Sequence, residues 1–361
     1  MPKRLAYDRI LFGTTLGLVT FGLIMVFSAS ALMATERSQS PYGFVLRQAI
    51  GALLGVAALV GIMRFDYRRL KEPVVVYGLL GVTLLLLGAV FLLDRTHNTH
   101  RWIHLGPLSL QPSELAKPTL IVFLAFYLES RLDSVNRWST LGPVLFGLGM
   151  ICGLVVAAKD LGTTVALVLI AASMLYVSGL RWRLLGYGFL TSLPLLYLLV
   201  FHVQYRRERV LAFLHPWQQA QGAAFQIVQS LIAVGSGGVT GLGLMDGRQK
   251  LFFLPAAHTD FIFAVVGEEL GWIGTTLVVL AFLVFLWRGL RIARRAPDDF
   301  GRLLAIGVTA MVVIQALINF SVVTSLVPNK GIPLPFISYG GSSLIFSLAA
   351  VGVLLNVSQH T

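Results

Sequence analysis

"ILFGTTLGLVTFGLIMVFSASALMA", Ile10 to Ala34, runs for 25 residues without a charge. As a helix, a run of that length crosses the roughly 30 Å hydrocarbon layer of a bilayer. Its small-residue end, "SASALMA", faintly resembles a signal-peptidase site, but the run is too long for a secretory signal and reads as a retained first helix. Working outward, similar apolar runs separated by charged or Pro/Gly-rich breaks give ten candidate spans near 10–34, 43–63, 74–93, 113–128, 141–158, 164–180, 184–202, 261–287, 303–323 and 341–357. The short alternating segments of a β-barrel are absent. The expected fold is an all-α polytopic membrane protein with ten transmembrane helices, forming one domain over 1–361. Composition agrees: 56% of residues are hydrophobic and 12% charged, with a mean hydropathy of +0.80, outside the range of a soluble domain. The single cysteine, Cys152, excludes an internal disulfide and a cysteine-based metal site.

Ten spans place both ends of the chain on one side. That side receives Lys3, Arg4 and Arg9 and the connections with Arg64, Arg68, Arg69, Lys71, Arg131, Arg137, Arg181, Arg183, Arg288, Arg291, Arg294, Arg295 and Arg302, which is 16 of the 28 basic residues. The positive-inside rule makes it cytoplasmic, so the expected topology is N-in/C-in. The net charge of +12 is then explained by topology and anionic lipid, and no nucleic acid is expected.

The opposite face takes the long connections 94–112, 203–260 and 324–340, with Arg95, Arg101, Arg206, Arg207, Arg209, Arg248, Lys250 and Lys330. Basic residues beside aromatic and Gly/Pro-rich stretches suggest an anion-binding outer surface. Segment 203–260 is too long for an idle loop. Within it, "AFQIVQSLIAVGSGG" (224–238), with Gln226 and Gln229, has the pattern of a short re-entrant or interfacial helix. The overlapping "GSGGVTGLGLMDGRQK" (235–250) packs six glycines, so backbone can approach a ligand or helix closely.

Five constellations carry candidate chemistry. In "HRWIHLGPLSLQPSELAKP" (100–118), Glu114 and Lys117 stand three apart on one helical face, and Trp102 suits either a site or an interfacial belt. In "KDLGTT" (159–164), Asp160 is either a helix cap or a site residue. In "YRRERVLAFLHPW" (205–217), Arg206 and Arg209 share a face able to grip phosphate, or snorkel to headgroups. In "LPAAHTDFIFAVVGEELG" (254–271), Asp260 precedes a span with His258 and Thr259 beside it. An N-cap is its first explanation, and the helix dipole would then lower its pKa. Glu268 and Glu269 lie two turns into that span and need basic partners or a polar cavity. In "PNKGIPLPFISYGGSS" (328–343), Ser338, Ser342 and free amides either line the same cavity or belong to a rigid re-entrant loop.

Taken in order, "RWIHLG…QPSELAK", "KDLGTT", "RVLAFLHPW", "GRQKLFFLPAAHTDFIFAVVGEELG" and "KGIPLPFISYGGSS" closely resemble the SEDS family of shape, elongation, division and sporulation proteins. The resemblance covers essentially the whole chain and favours the division branch over the elongation branch. Ala256 and Lys159 depart from the family's usual residues. The resemblance implies a peptidoglycan glycosyltransferase that polymerises lipid II on the outer leaflet of the bacterial cytoplasmic membrane, at the division septum. It implies a class B penicillin-binding transpeptidase and other division proteins as partners. Asp260 matches the family's essential acid, and Trp102, Glu114 and Lys117 match functionally important positions.

On that reading Asp260 is the candidate base. Arg101, Lys117, Arg206, Arg209 and Lys250 are candidate pyrophosphate contacts, and Asp160, Gln229, His258, Thr259, Ser338 and Ser342 complete the expected substrate site. A divalent cation, Mg or Mn, is an open candidate for stabilising the leaving group. A lipid II flippase and a non-enzymatic scaffold are the rival classes. Sparse mid-span charge and the lack of a detectable repeat weigh against transport.

Overall fold

The structure is a computed structural model, and it describes residues 6–36, 40–94, 100–105, 108–222, 224–250 and 253–361. Lys3, Arg4 and Arg95 lie outside the described residues. Twelve α-helices are present among the described residues: α1 (Arg9–Glu36), α2 (Gly43–Arg64), α3 (Pro73–Leu93), α4 (Pro112–Glu129), α5 (Trp138–Ala157), α6 (Leu161–Val177), α7 (Trp182–Phe201), α8 (Gln204–Leu214), α9 (Phe225–Ser236), α10 (Ile262–Arg295), α11 (Asp299–Val323) and α12 (Gly341–Ser358). A two-stranded antiparallel hairpin, β1 (Ile103–Leu105) and β2 (Leu108–Leu110), precedes α4.

A helix coincides with every expected span, and α8 and α9 are the short helices of the long connection. Eight helices, α1, α2, α3, α5, α7, α10, α11 and α12, are long and apolar enough to cross a membrane. The other two of the expected ten are less typical. α4 carries Glu114, Lys117 and Glu129, and α6 has only 17 residues. Glu114 and Lys117 are buried and paired with each other, while Glu129 at the far end is partly exposed.

α11 is central, packed against α4, α6, α10 and α12, while α2 pairs extensively with α12. α7 stands apart, touching α6 and α8 and burying none of its residues. The connections segregate to two ends of the bundle. At one end the Asp8 amide donates to Ser358 Oγ at 3.1 Å, Tyr67 Oη donates to Asp298 Oδ2 at 2.6 Å, Lys71 pairs with Glu129 at 2.7 Å, and Arg181 N donates to Asn136 Oδ1 at 2.9 Å. These are the connections grouped above by charge. Asp298 caps α11 through Gly301 N at 2.7 Å and Asp8 caps α1 through Leu11 N at 2.9 Å.

The glycine-rich segment explains the two acids inside α10. At Gly271 (φ 63°, ψ −158°) the helix breaks, in a region of backbone space that is essentially glycine-only. The peptide groups released by the break are taken up by the segment after α9. Leu242 N and Gly243 N donate to the carbonyls of Glu268 and Glu269, and Trp272 N and Ile273 N donate to those of Gly238 and Val239, at 2.9–3.2 Å. The contact is backbone on backbone, because a Cβ on Gly241 would lie 2.1 Å from Glu269 O. The carboxylates finish the join. Glu268 accepts from Arg248 N at 2.7 Å and from Gln249 N. Glu269 accepts from Met245 N, from Ser28 of α1 and from Lys250 Nζ at 2.5 Å. An irregular backbone at this depth survives only when satisfied in this way.

Candidate active site

At the end of the bundle away from Asp8, three walls surround Asp260. The first is its own turn. Thr259 N and Phe261 N both donate to Ala256 O, at 3.0 and 3.4 Å, and α10 begins only at Ile262. The N-cap position belongs to Phe261, with no side-chain cap bond. The expectation that Asp260 caps this helix is therefore corrected: the helix begins two residues after it, and no side-chain cap bond is made. α11 holds the turn from behind, where Asn319 Nδ2 donates to both Asp260 O and Ile332 O at 2.8 Å.

The second wall is the loop before α12. Ser338 Oγ accepts from Leu334 N at 2.8 Å and donates to Thr259 O at 2.6 Å, and Tyr339 N donates to His258 O at 2.9 Å. Gln48 of α2 clamps this loop through Ser338 O and Gly340 N. The His258 ring packs 5.0 Å from Phe44 and 5.7 Å from Tyr339. Gly331 lies against the acid: a Cβ there would sit 2.7 Å from Asp260 Oδ2.

The third wall joins the 100–113 segment to α6. Asp160 caps α6 through Thr163 N at 3.1 Å. Its other oxygen accepts from Thr163 Oγ1, Gln111 and Ser113. Arg101 is held through its amide by Asp94 at 2.8 Å, beside Trp102 N on the same oxygen, and its guanidinium donates to Lys159 O. Arg209 of α8 donates to Asn329 O at 3.4 Å and lies 4.4 Å from the Tyr205 ring, while Arg206 donates to Leu199 O at 2.8 Å. Lys159, Ala256 and Phe336 adopt left-handed φ of 63°, 59° and 67°. Such strain costs about 1–3 kcal/mol per residue and is typical of functional sites.

Electrostatics show which of these groups act together. Burial pushes the Asp260 carboxyl up from 3.8 to about 6; Arg209 opposes the rise, Asp160 adds to it, and Arg101 opposes it. Burial lowers the Lys330 ammonium from 10.5 to about 8, assisted by Arg206 and Arg209, opposed by Asp160, and assisted by Arg101. Burial, with Arg101 beside it, also lowers Arg206. Four cations and two carboxylates thus share one field. Mutual repulsion among the cations is relieved by an anion.

Several expected contacts lie elsewhere. Lys250 is buried on Glu269 and Ser28, so its assignment to pyrophosphate is corrected: it neutralises the acid beside the break in α10. Lys117 is buried between Glu114 at 2.8 Å and Gln315 at 2.6 Å, and Gln315 in turn donates to Pro333 O. Through Gln315 its ammonium is linked to the loop before α12. Ser338 is likewise spent on backbone, and the Thr259 hydroxyl closes its own turn on Ala256 O at 3.2 Å. Ser342 is buried in the first turn of α12. Gln229 is half-buried on α9, one turn from Gln226, which accepts from Asn329 at 2.6 Å. Sequence reasoning missed Lys330 as a site member and missed Gln315, Asn319 and Gly331. The signal for Gln315 and Asn319 was present, as two amides four apart in an apolar helix.

A protein-held divalent cation does not fit this donor set. Among the described residues no three His, Cys, Asp or Glu side chains converge. Both Asp160 oxygens are engaged, and cations surround Asp260.

Comparison with known proteins agrees with this geometry. The family model for cell cycle proteins of the FtsW, RodA and SpoVE type matches residues 8–361. The chain is 47% identical to the probable peptidoglycan glycosyltransferase FtsW of Geobacter metallireducens, over 98% of this chain and 95% of that one. It is 42% identical to the stage V sporulation protein E of Bacillus subtilis, over 99% of each. Among solved structures, a chain from work on a peptidoglycan synthase complex that coordinates polymerization and crosslinking superposes with a TM-score of 0.81. It is 32% identical, covering 99% of this chain and 98% of that one. The rod shape determining protein RodA of Thermus thermophilus gives 0.72 at 30% identity, covering 99% and 98%. Matched by this family model over residues 8–361 and by relatives at 42–47% identity across nearly the whole of both chains, the chain belongs to the FtsW/RodA/SpoVE family of cell cycle proteins.

Proposed function

We propose that the protein is a peptidoglycan glycosyltransferase that polymerises lipid II on the outer face of the bacterial cytoplasmic membrane, serving the division septum. The observation that carries this reading is the joint field of Asp260, Asp160, Arg101, Arg206, Arg209 and Lys330. It pairs a carboxylate poised near neutrality with cations suited to a pyrophosphate. On this reading ten helices cross the membrane, with α4 and α6 as the less typical members, and both described ends of the chain lie inside and this field outside; the grouping of basic residues at the opposite end supports it. The names of the relatives at 42–47% identity support the same activity.

In the reaction, the 4-hydroxyl oxygen of the acceptor sugar attacks C1 of the donor and its proton passes to Asp260. The bond from C1 to the pyrophosphate oxygen breaks, and the electron pair leaves with undecaprenyl pyrophosphate. Arg101, Arg206, Arg209 and Lys330 stabilise the charge that develops there. A carboxylate near pH 6 is mostly ionised at neutrality and accepts a proton more readily than an ordinary aspartate. Asp160, Asn319, Ser338 and the Glu114–Lys117–Gln315 chain hold the walls. Trp102, half-exposed beside Arg101, offers a face for sugar or lipid. The partner is a class B penicillin-binding transpeptidase. The structural match to a chain from the peptidoglycan synthase complex supports that partnership.

The test uses purified protein, with and without the transpeptidase, on labelled lipid II. Glycan chains on a gel are the expected product. Movement of lipid II across liposomes without polymer would overturn the enzyme reading in favour of a flippase.

A further inference from the structure

At the end of the bundle remote from Asp260, a cavity of about 280 Å³ opens between residues 6–10, the last turns of α10 and the end of α12. Arg9, Arg288, Arg291 and Arg295 line it, with Asp8 as the single acidic side chain. The three arginines of α10 stand at i, i+3 and i+7 and therefore share one face. Asp8 is already spent. Its Oδ2 accepts from Arg288 Nε at 2.8 Å and also from Nη2, while its Oδ1 caps α1. The pair is nearly closed to solvent, at 12% and 6% side-chain exposure. Among the described residues no acid pairs with Arg9, Arg291 or Arg295.

The positive-inside rule calls for arginines at this end but not for their convergence on one cavity. Tyr7 and Ile10 at its rim are exposed, as is Trp287 beside Arg288. Such side chains suit the level where headgroups meet acyl chains. We propose that this cavity is a binding site for an anionic phospholipid of the cytoplasmic leaflet, its headgroup phosphate held by Arg9, Arg291 and Arg295 and its chains lying along α1 and α10. The leaflet rests on the orientation proposed above; the site itself does not depend on the reaction. A lipid here braces the Asp8–Arg288 junction, where α1, α10 and α12 meet.

The experiment titrates purified full-length protein in neutral detergent with phosphatidylglycerol and counts bound lipid by native mass spectrometry. No lipid II is present, so failure of this site and failure of the polymerase reading are separate results. Saturable binding of one phosphatidylglycerol is expected, with phosphatidylethanolamine unable to compete and excess inorganic phosphate unable to displace it. The double variant Arg291→Gln/Arg295→Gln is expected to bind roughly 25-fold more weakly, about fivefold per charge. Arg294→Gln, exposed on the same turn but outside the cavity, is expected to stay within about twofold. Arg291→Lys/Arg295→Lys retains binding and so separates lost charge from lost fold. Equal losses in Arg294→Gln and the double variant, equal competition by phosphatidylethanolamine, or displacement by phosphate would each overturn the proposal.

Discussion

Replacing Asp260 by Asn is expected to stop polymerisation and to make the folded protein more stable. The side chain's pKa is raised from 3.8 to about 6, chiefly by burial. A carboxylate raised on folding favours the folded state in its protonated form. Its contribution to stability is fully present below about 3.8 and is lost as pH rises through about 6. At pH 7 the ionised group therefore costs the native state about 2–3 kcal/mol relative to a neutral isostere. Asn removes that cost and the base together.

The same shift predicts a pH profile. If Asp260 must be ionised to take the acceptor's proton, the rate falls about tenfold for each unit below pH 6, where an ordinary aspartate would still be fully active. The assays are initial rates of lipid II polymerisation between pH 5 and 8 at saturating substrate, and thermal unfolding of wild type and Asp260→Asn in the same detergent at pH 7. A flat profile down to pH 5, or an Asn variant that is inactive but less stable than wild type, would refute the assignment of a buried, poised carboxylate.

Three further outcomes follow from single distances. Gly331→Ala places a methyl 2.7 Å from Asp260 Oδ2 and is expected to lower kcat by about 10–100-fold with little change in unfolding temperature, because the carboxylate is displaced. Lys250→Met strands Glu269 and is expected to destabilise the fold by about 3–5 kcal/mol. Adding Glu269→Gln, which still accepts from Met245 N, recovers most of that loss in a denaturation double-mutant cycle. Gly271→Ala puts a Cβ 2.4 Å from Gly241 N in backbone geometry that alanine avoids. Its expected cost exceeds about 3 kcal/mol, read as loss of folded protein after extraction.

Much of the helical architecture could be read from the sequence because a bilayer leaves few choices: apolar length gives spans and the bias of Arg and Lys groups their connections. What sequence could not supply was where a polar side chain spends its bonds. Lys250 and Lys330 look alike on the page, each a lysine beside glycine-rich chain on the same expected face. Gly271 decides between them. By breaking α10 it brings the 238–250 segment down onto Glu268 and Glu269, so Lys250 is drawn to an acid some way from the reaction. Lys330 follows no such break and stays among Arg206 and Arg209. Glu114 and Lys117 are a nearer case: their spacing predicted the pair, but only the packing of α4 on α11 shows that Gln315 completes it.

Asp260 shows how a correct position can carry a wrong physical reading. An aspartate just before an apolar helix is most simply an N-cap, and a cap is ionised and a poor base. The turn closed on Ala256 O moves the helix start past it, Asn319 grips its carbonyl, and Gly331 leaves room for its carboxylate. Each feature comes from a different part of the chain, and together they exchange a stabilising cap for a desolvated acid. The exchange is worth its cost only if the ionised form does something in the folded protein. That is why Asp260→Asn is predicted to gain stability as it loses activity, whereas Asp160→Asn, at a true cap, is predicted to lose both. A purely structural role for Asp260 would reverse its sign of the stability change.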